Sequence, residues 1–161
     1  MCGRFTLKTP VETIKTLFPD MRMRDVGPRY NIAPTQLVLG IRHDASNTKE
    51  LVEFRWGLIP FWAKDSKLAA KMINARSETV HEKPAFRAAY KKRRCLIVAD
   101  GYYEWKKIGD QKQPFYFTPN ANSDSFCMAG LWETWHDRIN DQTVESCTIL
   151  TTNSNSRLAE F

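Results

Sequence analysis

The sequence predicts a single α+β domain whose centre is a curled, barrel-like and mainly antiparallel β-sheet, with a few short helices. About seven or eight short segments combine apolar and β-branched residues as strands do, and turn-forming residues separate most of them. Few segments carry helix-start signals. Many short strands with few helices favour a sheet that curls on itself. No repeat or linker divides the chain, so we expect one domain over residues 1–161.

The chain opens with a predicted strand over 3–7, followed by a short helix. Thr9 is the predicted N-cap, Pro10 the first helical residue, and Glu12 the residue that closes a capping box. We expect the helix to end where Pro19 stops it. Its buried face is predicted to consist of Val11, Ile14, Leu17 and Phe18.

The middle of the chain contributes a turn, a hairpin and an apolar loop. The proline and asparagine within Tyr30–Thr35 favour a fixed, irregular turn. Leu37–Arg42 and Leu51–Trp56 form a predicted hairpin joined by a polar loop. Gly57–Trp62 then leaves the sheet as an apolar loop. An exposed Trp62 would be explained by a partner that stacks on its ring.

The second half of the chain adds a helix and the remaining strands. A helix with proline at its start is predicted over Pro84–Tyr90. Gly109-Asp110 marks a turn between two strands, and Asn153–Phe161 resembles the opening of a last helix. The predicted strands are Cys95–Ala99, Tyr102–Lys107, Pro114–Phe117, Phe126–Trp135 and Val144–Thr152.

The composition limits the classes of partner and compartment. Lys and Arg total 24 against 18 Asp and Glu, and the resulting net charge of +6 suits a polyanionic partner. No stretch reaches about 18 apolar residues and no signal-peptide core is present, so we expect no contact with a membrane. The cysteines form no CxxC pair, which predicts reduced thiols, no metal site and a cytoplasmic or nucleoid setting. We expect a monomer without a cofactor.

Cys2 is the residue with the most unusual chemistry. An initiator Met1 is removed when a small side chain follows it, and the mature chain then begins with an α-amine beside a thiol. Their reference pKa values are about 7.7–8.0 and about 8.5, so both groups are partly nucleophilic near neutral pH. Such a 1,2-aminothiol condenses with an aldehyde to a thiazolidine, or acts as an N-terminal nucleophile. For a cysteine taken alone, a small buried hydrophobe is the commoner role.

Three internal stretches carry polar groups that can work with Cys2. Asn74 and Arg76 point the same way if their segment is extended, and can then orient a carbonyl and hold a phosphate. Glu104 lies among aromatic neighbours, a setting that desolvates a carboxyl and suits it to proton transfer. Thr151-Thr152 ends an apolar strand, where its hydroxyls approach a pocket or cap a helix. The structural alternatives are a turn asparagine, a surface arginine and an outward-facing glutamate.

Together these stretches resemble the SRAP family, named for SOS-response-associated peptidases, whose members shield abasic sites in single-stranded DNA by covalent crosslinking. The resemblance covers nearly the whole chain. It is carried by five motifs in family order: Met1–Phe5, Tyr30–Pro34, Trp56–Pro60, Ile73–Thr79 and Asp100–Trp105.

The resemblance implies a role for each matching residue. It makes Cys2 the crosslinking residue after loss of Met1, Asn74 the residue that positions the opened sugar and the α-amine, and Glu104 the acid/base residue. Arg4 and Arg76 match positions that hold phosphates flanking the lesion. Pro34 and Trp62 match apolar positions that pack on neighbouring bases, so the implied partner is single-stranded DNA containing abasic sites.

One departure from the family concerns the end of the chain. Family members continue with a His-x-Arg-Met-Pro-like segment whose histidine assists the chemistry and its reversal, whereas this sequence ends at Phe161. We therefore expect a domain that lacks its C-terminal segment, and we assign that role to none of His43, His81 and His136.

Two other classes of function compete with the crosslinker. One is a cysteine peptidase that uses Cys2 as its nucleophile, with its own Met1-Cys2 bond as the most secure substrate. The other is a non-catalytic module that binds single-stranded nucleic acid through basic and aromatic groups, which leaves the terminal position of Cys2 unexplained.

Overall fold

Ten strands and two α-helices make up the part of the chain that the computed structural model describes, which comprises residues 2–18, 27–119, 125–156 and 158–160. A short 3-10 helix spans Lys67–Lys71. The α-helices are α1 (Val11–Leu17) and α2 (Arg87–Lys92). The strands are β1 (Arg4–Leu7), β2 (Arg29–Ile32), β3 (Leu37–His43), β4 (Lys49–Trp56), β5 (Asn74–Arg76), β6 (Arg94–Ala99), β7 (Gly101–Ile108), β8 (Gln111–Phe117), β9 (Phe126–Asp137) and β10 (Gln142–Thr151).

Five strands close into a barrel. Neighbouring strands run in the order β4-β3-β6-β9-β10, and β10 pairs back onto β4 in parallel through Ser146 and Cys147. The other four pairings of the ring are antiparallel. The last residues of β10 pair in parallel with β5, on the same side of β10 that pairs with β4. The predicted α+β class with a barrel-like, mainly antiparallel sheet is therefore confirmed.

A second, four-stranded antiparallel sheet covers the barrel near the N-terminus of the chain. Its order is β2-β1-β7-β8, so the first strand lies in the middle of this sheet. Phe5 on β1 packs edge-on against Trp56 on β4, with ring centroids 5.1 Å apart, and both side chains are fully buried. The Trp56 indole Nε1 donates a hydrogen bond to the carbonyl of Ile73 at 2.9 Å. This contact fixes the segment that leads into β5.

The predicted hairpins match the structure, and the predicted start of the first helix does not. Strands β3 and β4 pair as expected, and β7 and β8 meet at Gly109, whose φ of 61° fits a tight turn. In contrast, Pro10 is itself the N-cap of α1, and no side chain caps the helix. The Thr9 hydroxyl instead donates to the Asp100 carboxylate at 3.2 Å. Pro19 and the Leu17 side chain lie outside what the structure describes.

Other element boundaries also differ from the prediction. Residues 29–32 form β2, where an irregular turn was predicted over 30–35. Helix α2 starts at Arg87 and not at Pro84, because residues 84–86 form a turn before it. After β10, residues 152–155 have no regular structure and 158–160 form a turn. The expected helix over 153–161 is therefore absent from its described residues.

A buried carboxylate holds the end of β1 and the two residues that follow it against the link between the two sheets. Asp100, 2% exposed, lies between β6 and β7. Its Oδ2 accepts hydrogen bonds from the backbone N–H groups of Lys8, at 2.5 Å, and Thr9, at 2.9 Å, while its Oδ1 accepts one from the Thr6 hydroxyl. With the Thr9 hydroxyl, four donors depend on this one carboxylate, and their burial is stabilising only while the carboxylate is present.

We therefore expect Asp100→Ala to destabilise the fold strongly. It leaves several buried donors unpaired, each at a cost of about 1–3 kcal/mol, so the total loss is about 3 kcal/mol or more. Urea unfolding measures it as a shift of the midpoint. Asp44→Ala is the matched control, because exposed Asp44 also accepts two backbone hydrogen bonds, from Ser46 and Thr48, each at 2.8 Å. Equal losses in the two variants would contradict the structural role of Asp100.

Candidate active site

Cys2 lies in a cleft between the two sheets. Strand β1 pairs with β7 through Arg4 opposite Tyr103 and Phe5 opposite Tyr102, so the start of the chain runs beside the middle of β7. Cys2 is 9% exposed and lines a cleft of about 490 Å³. The other lining residues are Arg76, Tyr102, Glu104, Thr151, Thr152, Asn153, Ser154, Asn155, Leu158 and Ala159.

Asn74 holds the backbone of Cys2 in place. Its Nδ2 donates a 2.8 Å hydrogen bond to the Cys2 carbonyl. Its Oδ1 is buried and accepts no hydrogen bond from any described residue. A buried acceptor without a partner is unfavourable in the folded protein, and such groups recur where a ligand supplies the partner. Asn74 thus fixes Cys2 with one end of its amide and offers the other end to a donor.

Glu104 and Tyr102 occupy the same face of β7 and both line the cleft. Burial, and after it the neighbouring Glu104 carboxylate, raise the pKa of the Cys2 thiol to about 12, although a backbone hydrogen bond with Arg4 lowers it. Burial also raises the pKa of Tyr102, with smaller contributions from Cys2 and Glu104. Cys2 and Tyr102 therefore lie close enough to Glu104 for its charge to act on both of them.

Arg76 places a cation at the mouth of the cleft. Strand β5 is extended, as predicted, so Asn74 and Arg76 share a side while Ala75 is buried on the other. The Arg76 side chain is exposed, and its Nη1 donates to the Thr152 carbonyl at 3.3 Å. No carboxylate of a described residue forms an ion pair with Arg76. Its remaining donors are available to an anionic ligand.

The other predicted DNA-binding residues lie outside the set that lines the cleft. Arg4 projects from β1, and its Nη1 donates to Asn31 Oδ1 at 2.9 Å. Pro34 is partly buried in the turn after β2. Trp62 is 50% exposed, next to an equally exposed Phe61, so the apolar loop does present aromatic rings to solvent. None of these three positions lines the Cys2 cleft.

The three histidines are placed elsewhere. His81 lies 3.3 Å from Glu82 and His136 lies 3.3 Å from Asp141, in both cases at exposed positions, and His43 ends β3. None of the described residues that line the cleft is a histidine. The described residues also contain no group of three or more His, Cys, Asp or Glu that could hold a metal ion. All four cysteines are free thiols.

Sequence reasoning missed one wall of the cleft. Residues 153–155 and Leu158 line it without helical structure. Thr151 and Thr152 also line the cleft, which agrees with the pocket alternative predicted for their hydroxyls. The run Thr-Thr-Asn-Ser-Asn is polar and rich in turn-forming residues, a signal for a loop that the helix prediction did not use.

No described helix is long and apolar enough to cross a membrane.

Comparison with known proteins identifies relatives of this arrangement. A family profile described as "SOS response associated peptidase (SRAP)" matches residues 1–161. The abasic site processing protein YoaM of Bacillus subtilis (strain 168) is 44% identical over 164 residues, covering 100% of this chain and 71% of YoaM. The abasic site processing protein YoqW from the same organism is 42% identical over 164 residues, covering 100% of this chain and 72% of YoqW. A crystal structure of a protein from Bacteroides thetaiotaomicron matches with a TM-score of 0.86 at 28% identity, covering 99% of this chain and 72% of that one.

Proposed function

Because the chain belongs to the SOS response associated peptidase (SRAP) family, we propose that it processes abasic sites in DNA. In this proposal Cys2, once Met1 is removed, forms a thiazolidine crosslink with the ring-opened aldehyde of the lesion and shields it. The names of two relatives, both abasic site processing proteins, support the choice of abasic sites as the substrate. One observation carries the chemistry: Cys2, one residue from the start of the chain, is held by Asn74 in a cleft that also contains Glu104.

The reaction needs an amine and a thiol on adjacent carbons. The α-amine of Cys2 adds to the aldehyde carbon and water leaves, which gives an imine. The thiol then adds to the same carbon and closes a five-membered ring. With Met1 attached the thiol pKa is about 12, although the Met1 α-ammonium already lowers it. An α-ammonium on Cys2 itself lies closer to the thiol and lowers its pKa more. Removal of Met1 thus supplies the amine and also favours the thiolate.

The neighbouring residues have distinct roles in this mechanism. Glu104 takes up and returns protons as the sugar ring opens and the imine forms. Asn74 orients Cys2 through its carbonyl, and its unpaired Oδ1 accepts a hydrogen bond from the α-amine or from a sugar hydroxyl. Arg76 at the cleft mouth holds a phosphate next to the lesion.

Single-stranded DNA is the form of partner that the exposed aromatic and basic residues favour. Exposed Trp62 offers a face on which bases stack, and Pro34 is a second, partly buried apolar residue for such packing. Arg4 and Arg76 supply cations for the backbone. Stacking rings beside cations bind single strands without sequence preference. On this proposal the protein acts as a monomer on DNA in the nucleoid.

The phosphate contacts predict the salt dependence of binding. Non-covalent affinity for a single strand should fall by about 0.7 log units per log unit of salt for each phosphate neutralised, so Arg76→Ala should flatten the slope by about that amount. Fluorescence anisotropy with an oligonucleotide carrying a tetrahydrofuran abasic analogue, which cannot open its ring, measures the slope. Arg138→Ala is the matched control, because it removes an exposed cation from the turn at the far end of β10. An unchanged slope in Arg76→Ala would return Arg76 to a structural role.

Intact-mass analysis separates this function from its alternatives. A covalent adduct with an abasic single strand supports the crosslinker. Cleavage of peptides in trans, without an adduct, supports a cysteine peptidase. Reversible binding alone supports a non-catalytic binding module.

A further inference from the structure

A second groove lies beside helix α2, away from the Cys2 cleft. It has a volume of about 510 Å³, is lined by Phe61 and by residues of α2, and shares no described lining residue with the cleft. Ala75 alternates along β5 with the cleft residue Arg76 and belongs to the same buried cluster as Ala89 of α2. Helix α2 therefore covers the face of β5 that points away from the cleft. We call this depression the helix groove.

The helix groove combines an apolar wall with an excess of positive charge. Phe61 is 59% exposed, and Ala88 lies beside it in the lining. The exposed cations of α2 form no ion pair with a described residue. The charged lining residues are four cations and one carboxylate: Arg87, Lys91, Lys92, Arg93 and Glu133. An anionic ligand that also carries an apolar group matches both properties of the groove.

Helix stability does not account for this distribution of charge. Lys91 and Lys92 lie in the last turn of α2, where cations favour the helix dipole. Arg87 is the first residue of the helix, where a cation is unfavourable, and the first turn contains no acidic residue. Arg87 and Lys91 are also four positions apart, a spacing at which like charges destabilise a helix. A negatively charged ligand relieves both effects.

Arg93 supplies hydrogen-bond donors at the most buried part of the groove. Its Nη2 donates to Glu133 Oε2 at 2.6 Å, so the one carboxylate of the lining, which is 3% exposed, is already paired. The Arg93 Nε is buried and has no hydrogen-bond partner among the described residues. The guanidinium is therefore not fully hydrogen-bonded, and a ligand carboxylate is the acceptor that pairs best with it.

An acidic peptide fits the helix groove better than nucleic acid or a second copy of this chain. A duplex is convex and contacts such a groove through phosphates alone, which leaves the apolar wall unused. A single strand places a phosphate or the polar edge of a base next to the Glu133 carboxylate. A second copy carries the same net charge of +6, which opposes association. A peptide can set an apolar side chain against Phe61 while its carboxylates reach the cations.

We propose that the helix groove docks an acidic segment of a partner protein, in which an aromatic side chain is flanked by carboxylates. The aromatic ring packs between Phe61 and Ala88, and the carboxylates pair with Arg87 and Lys91. Docking leaves the Cys2 cleft open, so a partner holds the protein while the cleft is free for its own substrate. The proposal does not depend on the chemistry of Cys2.

The test follows the anisotropy of a fluorescein-labelled peptide, Gly-Asp-Asp-Phe-Asp-Asp-Gly. Replacing its phenylalanine by serine should weaken binding at least about tenfold, because the ring is no longer buried in the groove. Replacing its aspartates by asparagine should weaken binding at least as much, because the charge complementarity is lost. Arg76→Ala should bind the peptide as the unmodified chain does.

Two variants with matched controls assign the binding to the groove. Phe61→Ser and Arg87→Glu should each weaken peptide binding about tenfold. Ile108→Ser is the control for the first, because Ile108 is 55% exposed and lies outside the groove. Lys112→Glu is the control for the second, because it makes the same change in net charge at an exposed position on β8. Both controls should change the affinity by less than about twofold, and thermal unfolding checks that each variant folds.

Four results would overturn the proposal. The serine peptide binds as tightly as the phenylalanine peptide, or the control variants lose as much affinity as Phe61→Ser and Arg87→Glu. Arg76→Ala loses peptide binding while Arg87→Glu keeps it, which places the peptide in the Cys2 cleft. An oligothymidylate of equal charge loses affinity in Phe61→Ser while the peptide does not, which makes the groove a nucleic-acid surface. Sedimentation shows a dimer that Phe61→Ser dissociates, which assigns the groove to a second copy.

Discussion

Blocking the α-amine of Cys2 should abolish the stable DNA adduct while leaving the fold and non-covalent binding intact. A glutamine inserted between Met1 and Cys2 is a suitable block, because a large second residue prevents removal of the initiator methionine. The thiol remains, but without an adjacent amine it forms only a reversible hemithioacetal with the aldehyde. Intact-mass analysis with an abasic single strand measures the adduct, and anisotropy with a tetrahydrofuran analogue measures binding.

The unmodified mature chain is the control for this experiment, and thermal unfolding checks that the inserted residue leaves the fold unchanged. Cys2 is held by β1 and by the hydrogen bond from Asn74, so one residue added before it does not disturb that anchor. A hydrolysis-stable adduct from the blocked chain, at the rate of the mature chain, would contradict the role of the amine.

Glu104→Gln should slow crosslinking by about 10²–10⁴, the usual contribution of a positioned acid/base group, with near-normal affinity for abasic single strands. Glutamine keeps the shape of the side chain on β7 but transfers no proton. The pH–rate profile between pH 5 and 8 should lose one limb, which stopped-flow or quenched time courses with a ring-opening substrate can measure.

A second readout in the same variant distinguishes proton transfer from a structural role. The Glu104 carboxylate raises the pKa of the Cys2 thiol, so its removal should lower that pKa from about 12 towards the ordinary value. Alkylation of Cys2 by iodoacetamide at pH 8, in the chain that keeps Met1, should therefore speed up while crosslinking slows. If both rates fall together, Glu104 supports the fold of the cleft and the proton relay lies elsewhere.

The parts of the fold that depend on local sequence were predictable. The hairpin of β3 and β4 and the strand pair β7 and β8 follow from alternation and from turn residues, both of which act over a few neighbouring positions. The closure of the barrel was not predictable in detail. It depends on β10 pairing in parallel with β4 and then with β5. The paired residues are about 90 and about 75 positions apart in the sequence, and no turn signal predicts such contacts.

Long-range contacts also explain the wrong helix start. Thr9 and Pro10 form a helix-cap pattern that is favourable in isolation, but the Thr9 hydroxyl and backbone N–H both donate to the buried Asp100 carboxylate. The bond joins residues separated by 91 positions in the sequence. A carboxylate that satisfies several buried donors outweighs one helix cap, which contributes about 1 kcal/mol.

The part of the site that lies on extended strands could be predicted from the sequence. Side chains alternate along an extended strand, which predicted Asn74 and Arg76 on one side and Tyr102 and Glu104 on one face. In the structure Arg76, Tyr102 and Glu104 line the cleft with Cys2. Asn74 donates a hydrogen bond to the Cys2 carbonyl. The loop after β10 could not be placed, because its position depends on where the barrel ends. The roles of Cys2, Asn74, Glu104 and of the DNA-binding residues remain predictions.

Locating the adduct on Cys2 tests the central claim most directly. Mature chain and Cys2→Ala are each incubated with an abasic single strand, with and without borohydride, and the adduct is mapped by peptide mass spectrometry. The account predicts a stable adduct on Cys2 of the mature chain without reduction, and from Cys2→Ala only an imine that borohydride must trap. A hydrolysis-stable adduct from Cys2→Ala without borohydride, or an adduct on another residue of the mature chain, would contradict it.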